Sequence, residues 1–211
     1  MNLKSIVLVL LFACKISFSQ VKKVFGINVG VNYSSLRWEG DEFGYESEVG
    51  FLTGIKFAFY LKEKLSIKAE LNYEKKTVAR KLPISVSNGG GFLFSSEVEY
   101  RFKHDYLVLP VLMQYDFGKK NPFYVNLGPN LGYILNIERS IDGIEGSEDI
   151  TPFFNSFELG FSAGVGKTFS IDKYNVLFVE IRNNLGLTSI SDGSSIKTNS
   201  LNLTLGWNFI F

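Results

Sequence analysis

A strict two-residue alternation recurs in eight segments of this chain. One row is bulky and apolar, and the other is made mainly of Gly, Asn and Ser. In "VFGINVGVNYSSL", Phe25, Ile27, Val29, Val31 and Tyr33 fall on one side, with Gly26, Asn28, Gly30, Asn32 and Ser34 on the other. Only extended backbone puts alternate residues on opposite faces, so each segment is expected to be a strand.

The pattern continues in "FLTGIKFAFYL", "LSIKAELNYE", "YLVLPVLMQYDF", "FYVNLGPNLGYIL", "SFELGFSAGVG", "LFVEIRNNLGL" and "LNLTLGWNFIF". Alternation by itself is compatible with a soluble barrel that is apolar inside and with a membrane barrel that is apolar outside. The polar row decides between them. A surface in water is rich in Lys, Glu, Asp and Arg, whereas this row is small and largely uncharged, as a narrow lumen requires. The apolar row is too bulky for the inside of eight strands, which side chains just fill. The composition of 20 Phe, 10 Tyr, 2 Trp and 20 Gly fits that division between a greasy exterior and a bare interior. The expected fold is all-β: an eight-stranded antiparallel up-and-down transmembrane β-barrel with the apolar row in lipid, where closure is compulsory because no water is present to pair open edges.

The connections alternate in length. Short turns are expected at 62–64, 118–122 and 170–175, and long polar loops at 37–49, 77–103, 137–153 and 189–199. The first twenty residues, "MNLKSIVLVLLFACKISFSQ", combine Lys4, an apolar run from Ile6 to Ala13 and small residues Ser17 and Ser19 before Gln20. This reads as a secretory signal peptide over 1–19, too short in its apolar run to span as a helix, followed by a barrel domain over 20–211. Cys14, the only cysteine, lies in the signal segment, and Phe12 departs from a lipoprotein cleavage box. Cleavage therefore leaves no thiol for disulfide, metal or nucleophile chemistry. The expected location is the bacterial outer membrane, with outer-membrane lipid around the barrel and partners outside reached through the four long loops.

The 22 basic residues balance 21 acidic ones, which supplies no polyanion-binding surface and argues against nucleic acid as a partner. Charges inside the strands have a different meaning. In "LFVEIRNNLGL", Leu177, Val179 and Ile181 would face lipid while Glu180 and Arg182 face the lumen, and a slip of one residue would place both charges in hydrocarbon. The same parity collects Lys56, Lys68, Glu70, Asp116, Glu158, Glu180 and Arg182 as a lumen polar cluster with a structural role. Asn183 then falls on the lipid row, and Pro110 and Pro129 fall within strands, where local bulges are expected to accommodate the missing donors.

Three stretches carry chemical motifs. "GFSAG" at 160–164 has the spacing of a hydrolase elbow but lies in continuing alternation with no later His, and "GVGKT" at 164–168 lacks the leading Gly of a phosphate loop, since Phe161 stands there. His104 beside Asp105, near Ser95 and Ser96, is the remaining catalytic possibility, an outer-leaflet lipid-modifying enzyme. A small pore is another alternative. No catalytic, cofactor-binding or metal-binding set is assigned, and the expected protein is not an enzyme.

The segments "YLVLPVLMQYDF", "FYVNLGPNLGYIL", "FELGFSAGVG", "LFVEIRNNLGL" and "LNLTLGWNFIF", in that order and spacing, resemble the PorT-like family of outer-membrane β-barrels of Gram-negative bacteria. The resemblance covers nearly the whole mature chain. It implies an eight-stranded barrel in which Pro110 and Pro129 are regular features, a link to type IX protein secretion or envelope assembly, and no catalytic residues.

Overall fold

The computed structural model describes residues 22–38, 45–88, 92–118, 122–191, 193 and 195–211, without the side chains of 84–88 and 92–96. The expected signal segment 1–19, with Cys14, lies outside the described residues. The strands are β1 (Lys23–Trp38), β2 (Glu46–Lys62), β3 (Leu65–Asn88), β4 (Phe92–Phe117), β5 (Phe123–Ile141), the two-residue β6 (Glu148–Asp149), β7 (Phe157–Ser170), β8 (Asn175–Gly186) and β9 (Ile196–Ile210). Each long strand pairs antiparallel with its neighbours in the chain. β4 pairs with β5, and β1 with β9, so the eight long strands form a closed ring; β6 is an appendage of β5.

Register determines the dimensions of the ring. Stepping sideways from Lys23 leads through Phe59, Ile67, Met113, Leu127, Ala163, Asn183 and Leu201 back to β1 at Tyr33, ten residues further along. A shear of ten on eight strands corresponds to a strand tilt of roughly 40° and a radius of about 8 Å. Such a lumen has room for side chains that meet across the axis, and for little else.

Because the shear is even, the two rows keep their sides all the way round. Ile27, Val29, Phe57, Leu109, Met113, Leu127, Leu159, Ile181 and Leu205 are exposed on the outer face, whereas Lys68, Glu74 and Glu180 are among the most completely buried side chains. Aromatic residues ring both ends of the outer band. Phe51 packs on Tyr73, and Tyr133 on Phe157, toward the long-loop end; Phe25, Trp207 and Phe209 stack, and Tyr115 meets Phe117, toward the short turns. Two girdles flanking an apolar belt are the mark of a sheet that sits in a bilayer.

The strands are longer than the alternation suggested. Most of the expected loop 77–103 is hairpin: β3 and β4 stay paired from Leu65 and Tyr115 to Asn88 and Phe92. β5 runs on to Ile141 within the expected loop 137–153, which also holds β6 and a short 3-10 turn at Thr151–Phe153. β1 ends at Trp38 and β2 starts at Glu46 within 37–49, and β9 starts at Ile196 within 189–199; residues 39–44 and 89–91 lie outside the described residues. These extensions were hidden because water bathes both faces beyond the bilayer, so no apolar row marks them. The outer polar trio of Tyr73, Lys75 and Asp105 marks the transition, with Tyr73 donating to Asp105 at 2.9 Å and Lys75 at 3.6 Å.

Both prolines are accommodated without the bulges expected for them. The pairing offset is unchanged on either side of Pro110, between Ala69↔Val111 and Asn72↔Val108, and on either side of Pro129, between Pro110↔Asn130 and Met113↔Leu127. The ladder simply lapses for two residues where a donor is missing. True register shifts occur elsewhere, between Ser47 and Phe51 in β2 and opposite Asp105 and Tyr106, where β5 carries the extra residue Leu135. Asn183 does lie on the outer row, and its amide is satisfied there by Asn199 Oδ1 at 2.9 Å and the Ser200 carbonyl at 3.3 Å.

At the short-turn end, Asp172 organises the β7–β8 turn by accepting from the Tyr174 and Asn175 backbone N–H groups at 2.7 and 2.9 Å. The Tyr174 N–H, followed by the Asn175 side chain, holds the Asp172 carboxyl below the usual carboxylate range. The sign follows from the lowered folded value: the turn is fully reinforced above the ordinary carboxylate pKa of about 3.9 and loosens as pH falls through the lower folded value. Amide exchange at Tyr174 and Asn175 should accelerate selectively in that acid window. A second prediction concerns the outer face. Val29→Arg, midway along the belt segment of β1, should cost about 2–4 kcal/mol in urea unfolding from lipid vesicles, while Val29→Ala should cost far less.

Candidate functional site

The enclosed lumen holds the chemistry of this chain. Side chains of β3 reach those of β8, four strands away on the opposite wall. Arg182 donates to Glu70 through both terminal nitrogens, Nη1 to Oε2 at 2.8 Å and Nη2 to Oε1 at 2.7 Å, and through Nε to Glu180 Oε1 at 2.5 Å. Lys68 donates to Glu180 Oε2 at 2.7 Å and lies 3.2 Å from Glu70 Oε1. Tyr124 Oη and Asn126 Nδ2 also donate to Glu180 Oε2, at 2.8 and 3.0 Å, and Asn72 donates to Glu70 at 3.1 Å. The result is a charge-assisted strut across the barrel diameter, with nearly every carboxylate lone pair occupied. That saturation is the condition under which buried ions are tolerated.

Neighbouring small residues make the strut possible. A Cβ at Gly166 would collide with the Tyr124 ring, and one at Gly206 with the Phe178 ring. Bare positions on β7 and β9 thus leave the space that rings from β5 and β8 fill.

Of the seven charges assigned to the lumen from sequence, Lys68, Glu70, Glu180 and Arg182 form one network. Lys56 is buried beside it but has no carboxylate within ion-pair distance among the described residues; its ammonium lies 3.3 Å from the Phe178 ring centroid. Asp116 sits apart toward the short turns, accepting from Tyr60 Oη at 2.9 Å and Gln114 at 2.8 Å. Glu158 sits apart toward the long loops, accepting from the Thr198 N–H at 3.1 Å and from its hydroxyl at 2.8 Å; at Gly186 any Cβ would strike its carboxylate. The sequence reading omitted Glu74 and Lys76, which form a third layer. Glu74 accepts from Asn184 and Asn202, at 3.3 and 3.2 Å, and Lys76 lies 3.6 Å from it and 4.4 Å from the Tyr106 ring centroid. Glu74 shares the parity of Glu70, which was its available signal; Lys76 was lost because it fell next to the supposed loop.

Above these layers an apolar stopper closes the long-loop end. Tyr106, Val108, Ile134, Ile137, Ile150, Ile190 and Ile196 form a buried cluster, with Leu36, Trp38, Phe102 and Phe154 against it. Ile150 and Ile190 come from loops that fold inward and are tied by backbone bonds, Ile150 N–H to the Ile137 carbonyl and Asn155 N–H to the Ile190 carbonyl, both at 2.9 Å.

The structure separates the catalytic pair suggested by sequence. His104 is buried in the lumen near Tyr106 and Phe154, whereas Asp105 faces outward to Tyr73 and Lys75. Adjacent residues of a strand point to opposite faces, so Asp105 cannot orient His104. The side chains of Ser95 and Ser96 lie outside the described residues. Ser162 of the "GFSAG" stretch is buried between Asn130 and Asn184, at 2.8 and 2.7 Å. Among the described residues no group of three His, Cys, Asp or Glu is placed to hold a metal ion.

A closed eight-stranded ring with an apolar belt, two aromatic girdles and a charged interior matches the family model for the outer membrane protein beta-barrel domain over residues 18–192. The chain belongs to that family. Similar solved structures include OprG from Pseudomonas aeruginosa, which is 12% identical over 90% of this chain and 95% of that chain, with a TM-score of 0.53. Ail of Yersinia pestis is 16% identical over 89% of this chain and 99% of that chain, with a TM-score of 0.43. Neisserial surface protein A is 15% identical over 89% and 97%, with a TM-score of 0.45. No curated protein matches the sequence. Family and fold together place the protein in the bacterial outer membrane. Barrels of this kind keep their short turns in the periplasm, so 62–64 and 170–175 face inward and the β3–β4 hairpin faces out of the cell.

Removing Arg182 alone takes both guanidinium bonds from Glu70 and one from Glu180, and leaves Lys68 shared between two buried carboxylates. Arg182→Met is expected to destabilise the barrel by about 3–5 kcal/mol, and the combination with Glu70→Met to recover part of the loss, because replacing both partners removes the unpaired charge. Urea unfolding and the temperature of the gel-mobility shift would measure both variants.

Proposed function

We propose that this outer-membrane barrel is a non-enzymatic scaffold that presents its outward extensions to protein partners, in the secretion or envelope-assembly setting implied by its resemblance to PorT-like proteins. The observation that supports this reading most is the closure of the lumen. Among the described residues the β3–β8 strut occupies the middle of the barrel and the isoleucine-rich stopper its outer end, which supports a filled lumen over a pore. A barrel filled in this way works by what it displays.

The display element is the hairpin. Beyond Lys75 and Asp105, β3 and β4 run a further thirteen residues each to Asn88 and Phe92, about 40 Å along the strands. Ion pairs stiffen its base: Lys81 with Glu46 at 3.0 Å, and Arg101 with Glu48 and Glu99, both at 2.9 Å. The Arg80 guanidinium adds a stack over Trp38 and Tyr45, at 4.9 and 5.1 Å. Above Ala79, and beyond the Asp142 N–H bond to the Glu99 carbonyl at 2.9 Å, no described strand pairs with the ribbon, and its edges suit strand addition.

A photo-crosslinking residue at Leu82 or Glu97 should capture defined envelope proteins in cells, while one at the lipid-facing Leu127 should not. Shortening the ribbon between Lys81 and Glu99 should leave the heat-dependent gel shift intact and abolish that capture together with any secretion phenotype of the deletion strain. Steady single-channel conductance of the intact protein in planar bilayers, or unchanged cargo export after deletion, would count against the scaffold and secretion readings respectively.

A further inference from the structure

The short-turn half of the lumen contains a pocket of about 380 Å³ that reaches from the periplasmic mouth, at Lys22, Lys64 and Lys173, inward to Lys56 and Lys68. A single water occupies about 30 Å³ of liquid, so the pocket has room for a polyatomic ion. The charges at its inner end do not balance. Lys56, Lys68 and Arg182 face only Glu70 and Glu180 in the central network, and both carboxylates are engaged by Lys68 and Arg182. Lys56 is therefore the surplus cation. It is 6% exposed, and among the described residues its ammonium meets no hydrogen-bond acceptor, only the face of Phe178.

The remaining acids on the pocket wall are otherwise occupied or remote from that end. Asp116 is held by Tyr60 and Gln114, Asp172 is bound into its own turn, and Glu63 lies in the β2–β3 turn. Among the described residues, five lysines line the pocket against these three acids. Asn208, also on the wall, has a buried side-chain oxygen with no partner among the described residues; as an acceptor, that oxygen calls for a donor such as water and offers nothing to an anion. A buried ammonium without a counterion is costly, and a ring face offsets only part of the cost.

We infer that the periplasmic half of the lumen is a binding site for a small oxyanion, a carboxylate or a phosphate, with Lys56 as its anchoring cation. The mouth lysines raise the local anion concentration, and Lys56 supplies the charge-assisted contact. This site is independent of the outward hairpin: it would stand if the scaffold reading failed, and its own failure would leave that reading untouched.

The test uses the full chain refolded in zwitterionic detergent and titrated calorimetrically at fixed ionic strength with inorganic phosphate and, separately, with acetate. Saturable binding of either anion is expected and identifies the preferred chemistry. Lys56→Met should weaken that binding about tenfold or more while the heat-dependent gel shift persists, and the exposed mouth variants Lys64→Gln and Lys173→Gln should weaken it only a few-fold. Should Lys56→Met fail to fold, NMR titration of the unmodified protein must move the Phe178 ring and Asn208 side-chain amide signals. No saturable binding, equal binding by Lys56→Met, loss through the mouth variants alone, or unmoved Phe178 and Asn208 signals would overturn the proposal.

Discussion

In hydrocarbon a backbone N–H or C=O has no solvent partner, and that constraint lies beneath everything else in this protein. It forces the eight strands into a ring, and the ring closes between β1 and β9 along fifteen consecutive pairs from Val24↔Ile210 to Trp38↔Ile196. Closure with a shear of ten fixes the radius, and the radius brings the side chains of β3 within reach of those of β8. The Arg182–Glu70 strut is thus a consequence of ring size as much as of the residues themselves.

The interior is layered by how far each level lies from water. The periplasmic mouth is open and charged, the middle is ionic and rich in hydrogen bonds, and the outer end is largely apolar. Ionic groups are tolerated at mid-height because Glu70 and Glu180 each meet several donors, whereas the outer stopper is packed mainly from isoleucine side chains that carry no polar group. Lys56 stands at the boundary between that network and the open pocket, so a cation without an ion-pair partner among the described residues lines the space that opens to the periplasm.

Stiffness outside the membrane has a different origin. Lipid no longer enforces pairing there, yet β3 and β4 stay together, held at the base by Arg80, Lys81 and Arg101 against the ends of β1, β2 and β5. The result is a rigid belt with a long ribbon rising from one side of it, an asymmetry suited to presenting one edge to a partner.

The fold class, the outward row, and the lumen-facing parity of Lys68, Glu70, Glu180 and Arg182 were legible in the sequence because lipid on one side and a narrow lumen on the other imprint a period of two. Where both faces meet water the imprint disappears, so the hairpin through 77–103 read as loop, and His104 and Asp105 read as a pair although a strand sends them to opposite faces. Parity states which side a residue is on, but partnership depends on shear, a property of the closed ring that no local stretch contains. Only the tertiary structure could therefore set Arg182 against Glu70 across the axis, remove Asp116 and Glu158 to separate levels, and leave Lys56 with no carboxylate at ion-pair distance among the described residues.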